Sequence, residues 1–550
     1  MAPRTDERSS LLSNERVETS FLSPRRRLFV FALIVAAACV LIGGNTFISN
    51  ADAPSLGATF LRYTYPSARL RESKHKKKPR LPFEPIKRCE WVEDKIREKD
   101  AGKSEEDLII QYKAQSTDYN VFFRATAHLF WNDFVAGNWG NWTMSTLKLP
   151  ENILNPKSLW TWVTGDQHLS NFGAWRNRHD ELVYGVNDFD EAAIYDFRID
   201  ILRIAVSICN HAITNGLSPK QVDKTLGVLT ESYIKTVHGY IGNDKALLFE
   251  LTPKTSYGVL RKFMIDSEKK NSASGQLEKF TDVDETTGER SFTKGNKTKL
   301  FDVAPDIEQK IINAFSPTQY GATMMKLGWH VRQWDKDYFQ VIDVAERIGT
   351  GIGSFGVDRF YVLLKGTDRL LGEDGRDGTA VILDIKEQPL AAVERVLSAN
   401  DKAWYGVMFP NAAARVVEAQ RHLTSYVDPF TGWFLFHDTA TGIDTPISIR
   451  QRSPWKDSID LDALTSPREF SDFVAQIAIA TATSHVRGTV AKAPAQFKQV
   501  FHSIMKHDKK NRKKWGVAVA ELANQYHEQL LLDFECFQDF VETYYSANQV

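Results

Sequence analysis

The sequence predicts an α+β fold of two lobes, which follows a single N-terminal transmembrane helix. An apolar run without a charged residue at 28–47 predicts the membrane helix. Alternating apolar residues and glycine-rich turns at 341–455 predict a β-rich lobe. Apolar residues at helical spacing prevail at 88–340 and 456–550, and we expect these two stretches to share a helical lobe.

The composition is typical of a globular protein without a nucleic-acid partner. Apolar residues make up 43% of the 550 residues, enough to fill a sizeable core. Lysine plus arginine and aspartate plus glutamate both total 69, so no overall field attracts a polyanion. The sequence also lacks a basic stripe with interleaved aromatic residues, and we do not expect binding to nucleic acid.

The N-terminal segment predicts a membrane anchor. Residues 28–47 are long enough to cross about 30 Å of hydrocarbon. Three arginines at 25–27 precede them, so the positive-inside rule places residues 1–27 in the cytoplasm and the main domain in the lumen. A cleaved signal peptide is the alternative, although a preceding polar segment of 27 residues is long for one. Residues 48–87, rich in Ser, Pro and Lys, predict a stalk.

A short motif in the predicted cytoplasmic tail bears on localisation. Residues 7–12, Glu-Arg-Ser-Ser-Leu-Leu, resemble the acidic dileucine signals that send membrane proteins to endosomes, lysosomes or vacuoles. A chance match in a tail rich in Ser, Glu and Arg is the alternative. Together with the predicted anchor, the motif favours a single-pass membrane protein of the Golgi, endosome or vacuole.

The four cysteines predict neither a disulfide framework nor a zinc site. Cys39 lies in the predicted anchor. Cys89, Cys209 and Cys536 are far apart and lack the spacing of metal ligands. The sequence leaves one disulfide among these residues open.

Two segments near the first third of the chain concentrate carboxylate and amide side chains. The first, TGDQHLSNFG, follows an apolar strand and places Asp166 and Asn171 five residues apart on a loop. The second, VNDFDEAA, begins as the predicted strand at 182–186 ends, and it contains Asp188 and Asp190. Because both segments lie at strand ends, we expect their side chains to converge on one ligand.

Phosphoryl transfer explains this set of side chains. The reaction needs a carboxylate that orients or deprotonates the acceptor, and it needs oxygen ligands for Mg²⁺. Asp166 is the predicted base. Asn171 and Asp188 are the predicted magnesium ligands. Asp190 is a candidate for a second carboxylate ligand, and a cap of the following segment is the alternative. His168 is expected to be a hydrogen-bonded loop residue, since no second histidine stands at ligand spacing.

A downstream set of residues supplies the cationic half of such a site. A glycine-rich loop at 351–356 is expected to cover the phosphates with backbone N–H groups. Its predicted nucleotide-binding members are Gly351, Gly353, Ser354 and Gly356. Lys386, on the next strand, is the predicted cation for the phosphate oxygens. Glu418, on a following helix, is expected to pair with Lys386, and a surface pair with Arg421 or Arg415 is the alternative.

Together these motifs resemble known phosphotransferases. The pattern GDxxxxN at 165–171, followed by DF at 188–189, is similar to the catalytic and metal-binding loops of aminoglycoside and choline phosphotransferases, relatives of protein kinases. From about residue 88 to 545, the chain more closely resembles the domain-of-unknown-function 2252 family, which carries no established substrate. The motifs of that resemblance are GDxHLxNFG (165–173), NDFDE (187–191), GxGSxG (351–356), IKE (385–387) and IRQ (449–451).

The order of the motifs implies a circular permutation, and the alternative is that one of the two motif sets is accidental. In protein kinases the glycine loop and lysine precede the catalytic aspartate, whereas here Asp166 and Asp188 come before Gly351. Chain termini lie at the surface, so a permuted order is physically reasonable. The resemblance therefore implies a two-lobed, permuted, protein kinase-like fold that uses ATP and Mg²⁺ on an unidentified acceptor. It also suggests that Asp200 braces the catalytic loop, while an i,i+3 pair with Arg203 is the alternative.

Two other functions fit parts of the pattern. A metal-dependent phosphoesterase would gather ligands around one or two metal ions, but it leaves the glycine loop unexplained. Its ligands would be Asp166, His168, His179 and Asp188. A non-catalytic nucleotide-binding scaffold of kinase-like fold would leave the complete set of catalytic side chains unexplained.

Overall fold

The structure of the protein is a computed structural model. It describes residues 85–136, 156–326, 334, 336–348, 356–366, 380–437, 442, 444–490, 496–506 and 509–547. These residues combine long helices with small antiparallel sheets. They belong to one unit of the chain, which runs from Pro85 to the last residue.

The helices begin at the expected local signals. They are α1 (Pro85–Asp100), α2 (Glu105–Gln115), α3 (Tyr119–Ala125), α4 (Ala127–Phe134), α5 (Arg198–Thr214), α6 (Pro219–Gly239), α7 (Gly258–Lys270), α8 (Ala273–Phe280), α9 (Pro305–Ala314), α10 (Tyr320–Lys326), α11 (Ala392–Val396), α12 (Ala399–Met408), α13 (Ala412–Leu423), α14 (Pro467–Arg487), α15 (Gln496–Lys506) and α16 (Lys509–Ala547). Ser104, Asp118 and Asn411 cap α2, α3 and α13 by accepting backbone N–H groups of the first turn.

The strands of the described residues form one six-stranded sheet and three two-stranded antiparallel sheets. They are β1 (Trp160–Val163), β2 (Phe172–Arg176), β3 (Leu182–Val186), β4 (Ala193–Asp196), β5 (Thr281–Val283), β6 (Arg290–Phe292), β7 (Leu300–Phe301), β8 (Val341–Arg347), β9 (Arg359–Leu364), β10 (Val381–Glu387), β11 (Gly432–His437) and β12 (Asp444–Gln451). The large sheet is antiparallel in the order β11-β12-β10-β9-β8-β7, and the small pairs are β1-β4, β2-β3 and β5-β6.

Alternation along β10 places Lys386 on the face of the large sheet that is turned away from the main apolar cluster. Val381, Leu383 and Ile385 share one face and pack into the main apolar cluster. Asp384 and Lys386 occupy the opposite face, because successive side chains of a strand point to opposite sides. The sheet therefore presents charged groups on the side away from its larger core.

Helix α5 forms the centre of the helical part. Its side chains are buried from Arg198 to Ala212. It packs against α6 and against the 39-residue helix α16, while α14 packs along α6. Asp200 and Arg203 lie in the first two turns of α5, so this buried helix holds two side chains of the candidate site.

Helices α1 and α16, which lie far apart in sequence, are joined covalently and by buried charges. Cys89 and Cys536 form a disulfide with a Cα–Cα distance of 5.1 Å. Next to it, Arg88 donates to Asp133 at 2.7 Å and to Asp533 at 2.6 Å, and all three side chains are buried. The structure thus assigns the disulfide that the sequence left open.

The predicted fold class, a two-lobed and permuted protein kinase-like fold with a transmembrane helix, is wrong. The described chain is α+β, as predicted, and β7 from the expected helical region extends the large sheet. No helix among the described residues is long and apolar enough to cross a membrane. The predicted lobe boundaries at 340 and 455 stay predictions.

The predicted localisation is corrected by the same finding. A single-pass protein of the Golgi, endosome or vacuole, with a lumenal main domain, requires a spanning helix, and the described residues contain none. The predicted tail at 1–27 and the anchor at 28–47 lie outside the described residues. The predicted stalk at 48–87 lies outside them too, except for its last three residues, which begin α1.

Candidate functional site

Asp200 holds the backbone of the loop that carries Asp166. Its Oδ2 accepts the backbone N–H of Thr164 at 2.7 Å, and its Oδ1 accepts that of Gly165 at 2.9 Å. The Thr164 hydroxyl and His485 Nε2 complete its contacts at 3.0 and 3.2 Å. The sequence offered two partners for Asp200, the catalytic loop and Arg203, and in the structure Asp200 binds the backbone of the loop.

Gly165 brings the two acidic loops into contact. Its φ is +73°, and a Cβ at this position would lie 2.0 Å from the carbonyl oxygen of Glu191. The φ angle alone favours glycine, and the close approach of the neighbouring backbone excludes a side chain. Asp166 therefore sits directly against the loop that contains Asp188 and Asp190.

Asp166 is held by a buried arginine. Arg203 Nε donates to Asp166 Oδ1 at 2.5 Å, and His168 Nε2 lies 3.6 Å from Oδ2. Burial raises the pKa of Asp166, Arg203 opposes this shift, and the neighbouring charge of Asp188 adds to it. Burial also lowers the pKa of His168 well below its usual value, so this histidine is neutral at physiological pH.

The predicted metal ligands Asn171 and Asp188 lie on adjoining segments. Asn171 Nδ2 donates to the Asp166 carbonyl at 2.8 Å, and the amide oxygen is the group that could accept a metal ion. The Asn171 carbonyl accepts the backbone N–H of Asn187 at 3.0 Å. Asp188 is half-buried, and its Oδ1 accepts the backbone N–H of Asp190 at 3.3 Å. Hydrogen bonds therefore link Asn171 to Asp166 and to Asn187, the residue before Asp188.

Lys386 reaches across to the acidic loop. Its ammonium forms a hydrogen-bonded ion pair with Asp190 Oδ2. Burial would raise the pKa of Asp190, but the Lys386 charge outweighs it, with help from Arg450, and the pKa is lowered. Arg415 Nη2 donates to the Asp190 carbonyl at 2.9 Å and anchors the same loop. Asp190, predicted as a metal ligand, is thus the carboxylate beside the lysine.

Glu418 lies in a different ion-pair group. Its carboxylate is 3.5 Å from Arg421 Nη1 and 3.8 Å from His422 Nε2, both on α13. The described contacts of Lys386 do not include Glu418. Glu418 therefore pairs with Arg421, the alternative partner on its own helix. Asp190, and not Glu418, is the carboxylate that pairs with Lys386.

Three arginines of this site were not identified from the sequence as functional. Arg203 holds Asp166, and Arg450 Nη1 donates to the Asn187 carbonyl at 2.8 Å. Arg359 Nε donates to Asp384 at 2.7 Å on the sheet face that carries Lys386. Alternation along β9, β10 and β12 would have grouped the last two with Lys386, because residues paired across strands lie on one face.

The glycine-rich loop is mostly outside the described residues. Gly351, Gly353 and Ser354 belong to the part of the chain that the structure does not describe. Gly356 is described, with a φ of +77°, and a Cβ there would lie 3.6 Å from the Lys103 side chain. Binding of phosphates by this loop stays a prediction.

Groups of three or more His, Cys, Asp or Glu side chains that could hold a metal ion do not occur among the described residues. The two histidines of the phosphoesterase alternative lie in different surroundings. His168 lies beside Asp166, and the His179 ring packs edge-on against Tyr426 with a centroid distance of 4.4 Å.

Comparison with known proteins shows one family relationship. Residues 103–540 match the family described as "Uncharacterized protein conserved in bacteria (DUF2252)". No curated protein and no solved structure matches the chain. The match covers most of the chain and includes Asp166, Asp188 and Lys386. The chain therefore belongs to the DUF2252 family.

Proposed function

We propose that this protein is a phosphotransferase that uses ATP and Mg²⁺ to phosphorylate an acceptor. The observation that carries the proposal is the ion pair between Lys386 and Asp190, residues 196 positions apart in the chain. This pair joins a cationic sheet face to a loop rich in carboxylates. Phosphoryl transfer requires both kinds of group around one nucleotide.

Asp166 is the proposed base. A carboxylate whose pKa is raised by burial binds a proton more strongly than an exposed one, which suits it to receive a proton from a hydroxyl. The acceptor oxygen would form a bond to the γ-phosphorus while the bond from that phosphorus to ADP breaks. The hydroxyl proton would pass to Asp166, which Arg203 holds in place.

Asn171 and Asp188 fit a magnesium ion of the kind used with nucleotides. Such ions bind one or two protein oxygens, and phosphate oxygens and water complete the shell, so a cluster of three carboxylates is not required. Among the described residues no cation forms an ion pair with Asp188, and the Asn171 amide nitrogen is already used. When bound, Mg²⁺ would neutralise phosphate charge.

Lys386 and Asp190 act together in this proposal. The ammonium would contact the phosphate oxygens, and Asp190 would position it, the role first predicted for Glu418. Arg450 lies close enough to influence Asp190 electrostatically, and it contacts the loop at Asn187. The site would therefore hold the nucleotide between the sheet face and the two acidic loops.

The proposal is tested by isothermal titration of the full chain with ATP, in the presence and absence of Mg²⁺. We expect Mg²⁺-dependent binding that weakens about 10- to 100-fold in Asp188→Asn and in Lys386→Met, because each variant removes a charge-assisted contact. Lys365→Met, at the exposed end of β9, and Asp306→Asn, exposed on α9, are the matched controls and should bind like the wild type.

Equal binding by the wild type, Asp188→Asn and Lys386→Met would overturn the proposal. Turnover separates the two alternatives. ATP binding without transfer or hydrolysis would identify a nucleotide-binding scaffold. Hydrolysis of phosphate esters without ATP binding would identify a phosphoesterase.

A further inference from the structure

Two polar side chains beside the Asp166 loop lack the partners that buried groups normally have. His128 on α4 is 5% exposed, and neither ring nitrogen has a hydrogen-bond partner within the described ranges. Lys99 on α1 is half-buried, and its ammonium donates to a neutral group, the Ala125 carbonyl, at 2.8 Å. Ala125 lies only three residues before His128, and we call these two side chains the Lys99–His128 cluster.

The cluster adjoins the proposed catalytic loop. Trp131, one turn after His128 on α4, donates from Nε1 to the Gly165 carbonyl at 2.8 Å. Residues three apart lie on the same side of a helix, so His128 shares the side of α4 that contacts this loop. The charge of Asp166 also reaches Lys99, where it opposes the loss of the ammonium proton.

The ammonium of Lys99 has no counterion among the residues that the structure describes. Asp100, the next residue, is engaged by Lys103 at 2.8 Å and by Gln111 at 2.8 Å. The Glu191 carboxylate accepts a backbone N–H at the start of α11 at 2.5 Å. Burial lowers the pKa of Lys99, although the nearby carboxylates oppose this shift. The nearest acidic groups are therefore already used in other contacts.

Positive charges surround His128 itself. Burial lowers the pKa of His128 well below its usual value, and the charges of Lys99, Arg395 and Arg203 lower it further. A neutral imidazole has one N–H donor, so His128 could donate a hydrogen bond to a ligand without adding charge. The surrounding field favours a negatively charged ligand over a neutral or cationic one.

An anion would satisfy both members of the cluster. A poorly hydrated ammonium without a counterion and a buried imidazole without a hydrogen bond each cost stability in the unliganded protein. A carboxylate or phosphate oxygen would accept hydrogen bonds from Lys99 Nζ and from one nitrogen of His128. Lys99 is half-buried, so its side chain is partly accessible to solvent.

We propose that the Lys99–His128 cluster binds an anionic group of the phosphoryl acceptor. The proposal rests on the proposed function, since it assigns the acceptor side of the Asp166 site. The acceptor would be a small hydroxyl compound that also carries a carboxylate or a phosphate. Lys99 and His128 would hold that oxyanion while the hydroxyl faces Asp166.

The test is a titration of the full chain with inorganic phosphate, and then with acetate, without nucleotide. We expect the oxyanion to bind the wild type and to bind Lys99→Met at least tenfold more weakly. Lys95→Met, a neighbouring lysine of α1 that pairs with Glu98 at the surface, is the matched control and should bind normally. The tighter of the two probes identifies the acceptor's anionic group.

A second variant makes the test independent of the Lys99 result. His128→Phe removes both unpartnered nitrogens at similar volume, and it should unfold at the same temperature as the wild type or higher. Phosphate should raise the unfolding temperature of the wild type but not that of His128→Phe. An equal rise in both proteins would overturn the proposal, as would unchanged oxyanion binding by Lys99→Met.

The outcomes also separate this inference from the proposed function. If ATP binds as expected but neither phosphate nor acetate binds, the Lys99–His128 cluster is not an anion site and the phosphotransferase proposal is unaffected. If Lys99-dependent phosphate binding persists while ATP binding fails, the phosphotransferase proposal falls and with it the acceptor role of the cluster. Loss of phosphate binding in Lys386→Met, with normal binding in Lys99→Met, would place the anion at the sheet and overturn the inference.

Discussion

At the scale of single residues, Gly165 determines how closely the two acidic loops approach each other. A Cβ at Gly165 would lie 2.0 Å from the carbonyl oxygen and 2.9 Å from the carbonyl carbon of Glu191. Both atoms belong to the backbone, so rotation of a side chain cannot relieve the contact. A larger residue would have to separate Asp166 from Asp188.

We expect Gly165→Ala to lower the free energy of unfolding by about 2–4 kcal/mol, from the positive φ and the backbone clash together. It should also weaken Mg²⁺-dependent ATP binding. Gly185→Ala, on β3, is the control, because a Cβ there meets no atom within 4 Å. Urea unfolding of the two variants measures the difference. Equal stability of both variants would contradict the close packing of the loops.

Local spacing predicts the acidic half of the site better than its partners. Asp166 and Asn171 are five residues apart on one short loop, so their proximity follows from the sequence. The partner of Lys386 does not follow from the sequence, because a lysine on a strand can pair with any carboxylate that the tertiary fold brings near it. Glu418 can also pair with its own helical neighbours, Arg421 at i+3 and His422 at i+4. The sequence does not distinguish these partners from Lys386, because the choice depends on how the helix packs.

At the scale of elements, α1 and α16 are fastened by a buried charge group. Arg88 from α1 contacts Asp133 of α4 and Asp533 of α16, and Tyr526 donates its hydroxyl to Asp133 at 2.8 Å. Burial raises the pKa of Asp133, and the Arg88 charge opposes this shift. A buried ion pair that loses one partner leaves an uncompensated charge.

We therefore expect Arg88→Met to lower the free energy of unfolding by about 3–5 kcal/mol, since two carboxylates would be left without their cation. Lys95→Met on the same helix breaks a partly exposed pair with Glu98 and should change stability by less than about 1 kcal/mol. Denaturant unfolding compares the two variants. A small effect of Arg88→Met would mean that α16 is not held through this group.

The elements themselves were partly predictable. The strand expected at 182–186 is present with those bounds, because its short run of apolar and aromatic residues is a local signal for a buried strand. The extension of the large sheet by β7 was not expected, since a two-residue strand carries no periodic pattern. Arg450 and Arg359 join the site through antiparallel register, which depends on pairing between distant strands.

At the scale of the whole molecule, buried histidines link stability to pH. His128, His168, His211 and His527 are all buried, and burial lowers the pKa of each. The pKa values of His211 and His527 fall from 6.5 to about 4. Between these pH values the unfolded chain binds more protons than the folded protein, so stability decreases as the pH is lowered.

We expect the free energy of unfolding to fall as the pH is lowered from 7 to 5. Below the pKa of the unfolded chain, each of these two histidines should contribute a decrease of about 1 kcal/mol per pH unit. Urea midpoints across this range measure the slope. His527→Gln should flatten it, because glutamine does not titrate. Asn313→Gln, exposed on α9, is the control, since it exchanges one non-titrating side chain for another and should leave the slope unchanged. Parallel slopes in all three proteins would contradict the assignment.

The disulfide also decides how the molecule would respond to a pulling force. Cys89 and Cys536 are 447 residues apart, and every described residue of the candidate site, from Asp166 to Arg450, lies between them. Tension applied to chain segments outside this covalent ring would pass from α1 to α16 through the sulfur bridge. The chain between the two cysteines would not be stretched, and the candidate site would experience no force until the disulfide was reduced.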